Sequence, residues 1–243
     1  MTARTTKDKT IILRPPIIGK TVNIYTAYEE ERLLKVGTFT GGTGGTGILA
    51  LFNVSELTLS ELVNISTFPG IQSGEEYVVR AHSTGEISRS ISLDSATPVV
   101  SLEVEVKGYE ILSAYRLHSI SLPHPSTPAK TSTTRIAVLG LLGKMTGACA
   151  ATRTDIEVNE KGRLHIEVAL KALGVLGIYI STMHELSVED DLLITMQGKV
   201  IPMHTVTVNE SAPVLEVDVE RAWEEMDLKA GWANEVGVEV FVR

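Results

Sequence analysis

Only one cysteine, Cys149, occurs in the 243 residues. One thiol cannot make an internal disulfide, so a stapled-loop framework is excluded and a reducing, intracellular compartment is expected. The stretch MTARTTKDKTIILRPP lacks the apolar core of a secretory signal. Aromatic residues make up 5% of the chain and include two tryptophans, which leaves few rings to stack on a sugar. A basic block is also missing. The 22 Lys and Arg against 30 Asp and Glu give a formal net charge of -8, whereas binding a phosphate backbone needs clustered cations. No nucleic-acid partner is expected. Long apolar runs are absent as well: IAVLGLLGKMTGACAA is broken by Lys144, and VALKALGVLGIYI is thirteen residues long and contains Lys171. A helical span requires about twenty apolar residues, so no membrane partner is expected and the predicted location is cytoplasmic.

With 43% apolar and 21% charged residues, the composition is that of a folding globular protein. Its length suits one large β domain or two small ones. The dominant period is two. VVSLEVEV alternates Leu102, Val104 and Val106 with Glu103 and Glu105, the pattern of a strand with one wet face. DIEVNEKGRLHIEVAL reads as a hairpin turning at NEKG, and DLLITMQGKVIPMHTVTV as one turning at QGK. YVVRAH, YEILSAYRL, RIAVLGLL, GVLGIYIS, VLEVDV and EVGVEVFVR supply further strands. VERAWEEMDL is the one convincing helix, with Trp223 and Met226 on one face. TLSELVNISTFPG fits a short helix or an edge strand, and SLPHPSTPAKTSTT, residues 121–134, reads as a loop. Short strands with almost no helices between them predict an antiparallel all-β sandwich of two sheets with a short C-terminal helix.

Gly42, Gly44 and Gly47 in GTFTGGTGGTGILALFNVSE have the G-x-G-x-x-G spacing of a dinucleotide-binding loop. That fingerprint needs a helix after the last glycine, to present amides and a dipole to the pyrophosphate. ILALFNV is short and strand-like, so the segment reads as a glycine-rich hairpin and no nucleotide cofactor is expected. Glu189, Asp190 and Asp191 are adjacent in VEDD, whereas an acid/base pair normally draws on carboxylates distant in sequence; they read as solvated acids. His82, His118, His124, His165, His184 and His204 are scattered without H-x-x-x-H spacing, so no metal site is assigned. His165 is expected on an outer sheet face. Cys149, among small residues, reads as a buried inert thiol. GLLGKMTG has Met145 where a phosphate loop needs a hydroxyl. Trp223 and Trp232 read as packing residues. The sequons at Asn53, Asn64 and Asn209 are expected to stay unmodified. No residue is assigned a catalytic, cofactor-binding or metal role.

RLLKVGTFTGGTGGTGILALFNVSE, KGYEILSAYRL and IAVLGLLGKMTGACAATRTDIEVNEKGRLHIEVALKALGVLGIYIS, in that order, resemble the C-terminal portion of glycoside hydrolase family 36 proteins of the raffinose synthase or seed imbibition group. The closing VLEVDVERAWEEMDLKAGWANEVGVEVFVR is similar to the fungal members. Thr43, Gly44, Gly47, Phe52 and Asn53 follow the order of that family's T-G-x-x-G-x-F-N hairpin with slightly different spacing. The resemblance implies a β-sandwich that follows a catalytic (β/α)8 barrel, in which two aspartates transfer an α-galactosyl group to water or another sugar. This chain has no strand-helix alternation of barrel length. Residues 1–25 are then a remnant of the barrel's end or an N-terminal extension, and 26–243 the sandwich, divisible into two halves joined by the 121–134 loop. The implied function is non-catalytic. The implied partners are the barrel and α-galactosides, with self-association through an exposed apolar face; a stand-alone carbohydrate-binding module is the alternative.

Overall fold

The computed structural model describes every residue except 1, 42–44, 97, 125–126, 160–162, 210, 232–233 and 243, and only the backbone course of 122–124 and 127–132. The chain divides into two units, one made of Met1–Arg14 with His118–Arg243 and the other of Pro15–Leu117. In chain order the first hairpin is β1 (Thr2–Arg4) with β2 (Thr10–Ile12), which belongs to the discontinuous unit. All strand pairs in both units are antiparallel. The protein is therefore all-β and sandwich-like, as its period of two predicts.

The unit Pro15–Leu117 contains β3 (Lys20–Thr21), α1 (Ile24–Glu29), β4 (Leu34–Phe39), β5 (Gly47–Phe52), β6 (Leu59–Asn64), β7 (Tyr77–Ala81), β8 (Val99–Val104) and β9 (Tyr109–Arg116). Its larger sheet runs β3-β4-β5-β9-β7, and β6 pairs with β8 in a two-stranded sheet. TLSELVNISTFPG thus resolves into strand β6 followed by a 3-10 turn over Ile65–Thr67. Leu49, Leu51, Leu112 and Ala114 of the larger sheet share one core with Val63 and Val104 of the smaller one. β4 and β5 pair from Leu34↔Phe52 to Phe39↔Gly47, so a strand follows Gly47 where a nucleotide loop would need a helix. Gly47 is required by crowding: a Cβ there would stand 2.5 Å from the carbonyl oxygen of Pro69. Gly42 and Gly44 lie outside the described residues.

In the discontinuous unit follow β10 (His118–His124), β11 (Thr127–Leu141), β12 (Ala151–Val158), β13 (Leu164–Leu170), β14 (Val175–Ile180), α2 (Val188–Asp191), β15 (Leu192–Met196), β16 (Lys199–Val200), β17 (Val206–Val208), β18 (Val214–Asp218), α3 (Val219–Glu225) and β19 (Val236–Val242). They form two five-stranded sheets, β10-β11-β14-β18-β17 and β12-β13-β19-β15-β16. Alternation decides which face is buried. Leu164, Ile166 and Val168 of β13 and Val236, Val238, Val240 and Val242 of β19 point inward. The QGK turn places Gln197 at φ 52 and Gly198 at φ 73, the two left-handed residues of a tight hairpin. The expected helix is α3; its N-cap Asp218 accepts from the amide of Arg221, and it buries Val219, Ala222 and Trp223.

The segment 121–134 departs from its reading as a loop. Apart from 125–126, which lie outside the described residues, it belongs to β10 and β11, with Ser121↔Thr133, Leu122↔Ser132 and Pro123↔Thr131 in register. β10 is an edge strand, and an edge tolerates proline because the lost N–H need not serve a ladder. The flanking Ser and Thr residues, read as loop composition, suit extended backbone. The two units part at residues 117 and 118, ahead of that segment.

Candidate functional site

Residues 17–28 expose an unusual run of large apolar side chains. Ile18 is 86% exposed, Tyr25 80% and Tyr28 70%, with Ile17, Val22 and Ile24 also exposed. Ile17, Ile18 and Val22 flank the two-residue edge strand β3, and Ile24, Tyr25 and Tyr28 belong to helix α1. Ala27 is the only buried residue of α1, so most of this short helix faces away from its own core. Singly exposed apolar residues are ordinary, whereas a large contiguous apolar patch is a candidate interaction surface.

Beside α1 lies a cleft of about 250 Å³, lined by residues of α1, β4 and β6 and by the turn after β6. Lys35 of β4 and Glu61 of β6 form an ion pair in it, their side chains 9% and 16% exposed. The second carboxylate oxygen of Glu61 accepts from the amide of Leu33 at 3.2 Å. Asn23 fixes the wall by accepting from the amide of Lys35 at 2.9 Å and donating to the carbonyl of Leu33 at 3.0 Å. Lys35 holds a core-facing position on β4, and Glu61 lies on the same strand face as buried Val63. Both interrupt apolar faces, and nothing in the sequence reading singled them out.

A second polar cluster was also missed. Glu110, buried on β9, accepts from the amides of His82 at 3.0 Å, Ser83 at 3.1 Å and Ile111 at 2.8 Å, and from the Ser83 hydroxyl. Burial and the nearby Arg80 push the His82 imidazole below its ordinary pKa of 6.5, and its Nδ1 has no hydrogen-bond partner among the described residues. Serine, histidine and glutamate are thus neighbours, but the serine proton goes to the carboxylate. A nucleophilic relay requires the histidine between the other two. The carboxylate instead closes the exit of strand β7.

The residues weighed from the sequence take structural places. Ser187 caps the single turn α2 by accepting from the Asp190 amide at 3.3 Å, and Asp191 accepts from the Ser187 amide at 2.8 Å. Glu189 and Asp190 are exposed, in keeping with their reading as solvated acids, while Asp191 also anchors the start of the turn. His165 lies flat on Phe241, ring centroids 4.4 Å apart, with Nδ1 3.2 Å from Glu157. His204 Nε2 is 2.7 Å from Glu225, while His184 is exposed and His124 is described by backbone alone. Cys149 is buried, and burial pushes its thiol up to about 11. Trp223 is buried; Trp232 lies outside the described residues.

The three sequons share one device. Each asparagine Oδ1 accepts from the amide of the serine two residues on: Asn53 from Ser55 at 3.0 Å, Asn64 from Ser66 at 2.9 Å, Asn209 from Ser211 at 3.0 Å. The spacing that imitates a glycosylation signal here builds Asx turns. Asn53 is the most enclosed, and its Nδ2 donates to the carbonyls of Leu57 at 2.8 Å and Val104 at 2.9 Å.

Among the described residues no three His, Cys, Asp or Glu side chains gather as metal ligands, and no helix is long and apolar enough to cross a membrane. Compared with protein-family models and with curated proteins, the chain matches none.

Proposed function

We propose that this chain is the C-terminal β-sandwich portion of a glycoside hydrolase family 36 protein of the raffinose synthase or seed imbibition group, non-catalytic by itself. Its partner is the (β/α)8 barrel that carries the two aspartates in such proteins, whose full-length members hydrolyse or transfer α-galactosyl groups. The resemblance of the glycine-rich hairpin and of the β11–β14 region supports this reading, as does the all-β architecture. The observation that carries it is the apolar strip at residues 17–28, where Ile18, Tyr25 and Tyr28 stand in water. A cytoplasmic location belongs to the same proposal and rests on the single cysteine.

The alternative, a stand-alone carbohydrate-binding module, is favoured by one feature. Phe52 and Tyr109, directly opposite on β5 and β9, are both exposed, with ring centroids 6.4 Å apart. Calorimetric titration with raffinose, galactose and melibiose, beside an aryl α-galactoside assay, separates the readings. The proposal expects no turnover. Raffinose binding without turnover that is lost when Phe52 and Tyr109 become alanine favours the module. Turnover by the purified chain overturns both.

A further inference from the structure

We propose that the cleft between Lys35 and Glu61 is a binding site for a neutral polyhydroxylated ligand of single-hexose size. The cleft lies wholly within the Pro15–Leu117 unit, and its chemistry is independent of the family proposed above.

The first reason is where the pair sits. Lys35 is 7% exposed and takes a core-facing position on β4, where the cross-strand neighbour is the fully buried Leu51. Burying an ion pair in place of apolar residues costs desolvation that the attraction often fails to recover, so a pair held at such a place is weak evidence for stability. Departures from the apolar pattern concentrate at functional sites.

The second reason is chemical. The ammonium keeps N–H donors beyond the one given to Glu61, and the carboxylate keeps lone pairs beyond those used by Lys35 and the Leu33 amide. Donor and acceptor therefore stand side by side, with charges that offset each other. An anion entering the cleft meets Glu61 and a cation meets Lys35; Arg32, the other charged residue of the lining, is paired with Glu30 at 2.8 Å. A vicinal diol, in which each hydroxyl both donates and accepts, complements the two together. Thr67 and Asn64 also line the cleft; among the described residues the Thr67 hydroxyl and the Asn64 Nδ2 have no hydrogen-bond partner. Val22, an exposed apolar side chain in the lining, suits the C–H face of a sugar ring. The volume, about 250 Å³, is below the usual range for drug-sized ligands and holds one ring. With no aromatic platform in the lining, binding is expected to be weak.

The experiment is a titration of the isotope-labelled chain with D-glucose, D-galactose and myo-inositol, and separately with galacturonate and inorganic phosphate, read by backbone amide shifts. At least one neutral probe is expected to move the amides of Lys35, Glu61 and Asn64 saturably, and the anions to bind at least tenfold more weakly. The double variant Lys35→Met/Glu61→Leu removes both charges together, which spares the fold the cost of one unpaired charge; it is expected to bind at least tenfold more weakly, with a thermal midpoint lowered because the Leu33 amide loses its acceptor. Thr67→Val is expected to weaken binding several-fold and serves if the double variant does not fold. No saturable shift at these residues with any neutral probe, anion binding as tight as hexose binding, or full affinity in a folded variant overturns the inference.

Discussion

Replacing Asn53 tests whether its role is the structural one assigned to it. The side chain is 3% exposed and makes four hydrogen bonds, two as donor to Leu57 and Val104 and two as acceptor from the amide and hydroxyl of Ser55. In Asn53→Ala the Val104 carbonyl loses a donor at a buried place, a loss of about 1–3 kcal/mol. The other three groups lie nearer the surface and regain water, at about 0.5 kcal/mol each by the net worth of such bonds. The expected destabilisation is about 3 kcal/mol. Asn53→Asp keeps both acceptor bonds but sets a carboxylate oxygen against two carbonyl oxygens. It should cost at least as much at neutral pH, and its deficit should shrink in acid, because that carboxyl's folded pKa is raised and its protonated form can again donate to one carbonyl. Urea unfolding provides the assay. Residues 15–117 hold five of the six tyrosines and neither tryptophan, so tyrosine emission follows the unit that contains Asn53. A loss under about 0.5 kcal/mol for Asn53→Ala, well below the hydrogen-bond sum, would refute the reasoning. So would an aspartate variant as stable as the parent at neutral pH.

Gly140, at φ +75, sits where β11 bulges, and a Cβ there would stand 2.3 Å from the carbonyl oxygen of Gly147. Gly140→Ala should cost more than about 3 kcal/mol by tryptophan-monitored unfolding, while Gly143→Ala, at φ +71 with open space around it, pays only the left-handed strain of about 1–2 kcal/mol. The Cys149 thiol, raised from 9.0 to about 11, holds about a hundredfold less thiolate than its ordinary value allows; iodoacetamide should leave it unlabelled in the native protein and modify it in urea. His82 has a folded pKa below its unfolded value of 6.5, so the stability that its neutral form contributes is present above pH 6.5 and declines as the pH falls toward the folded pKa. Thermal midpoints measured down through that window should drop less steeply in His82→Leu than in the parent.

The strands were legible because each buries one face. Leu164, Ile166 and Val168 announce β13 by period alone, and the left-handed pair Gln197–Gly198 follows from the QGK turn. The helix α3 was legible too, although it ends at Glu225, and Asp227 turns left-handed at φ 47 soon after. The strand identity of the described part of 121–134 was hidden because Pro and Ser/Thr composition carries a loop signal, while the fact that permits Pro123, the edge position of β10, exists only after sheet order is known. The polar cleft was half legible. Lys35 keeps step with buried Leu33 and Gly37, and Glu61 with Val63, so each interrupts an inward face. Their pairing across 26 residues of sequence is a tertiary fact that no local pattern carries. The Glu110 cluster left no trace in sequence, since its ligands are mostly backbone amides.

Sedimentation velocity tests most directly the claim that residues 17–28 form a face which another protein surface covers. The account predicts that the isolated parent chain self-associates in a concentration-dependent way, and that Ile18→Glu/Tyr25→Glu/Tyr28→Glu, which charges the three most exposed positions of the strip, sediments as a folded monomer. A parent chain that remains a monodisperse monomer throughout the concentration series would contradict the claim.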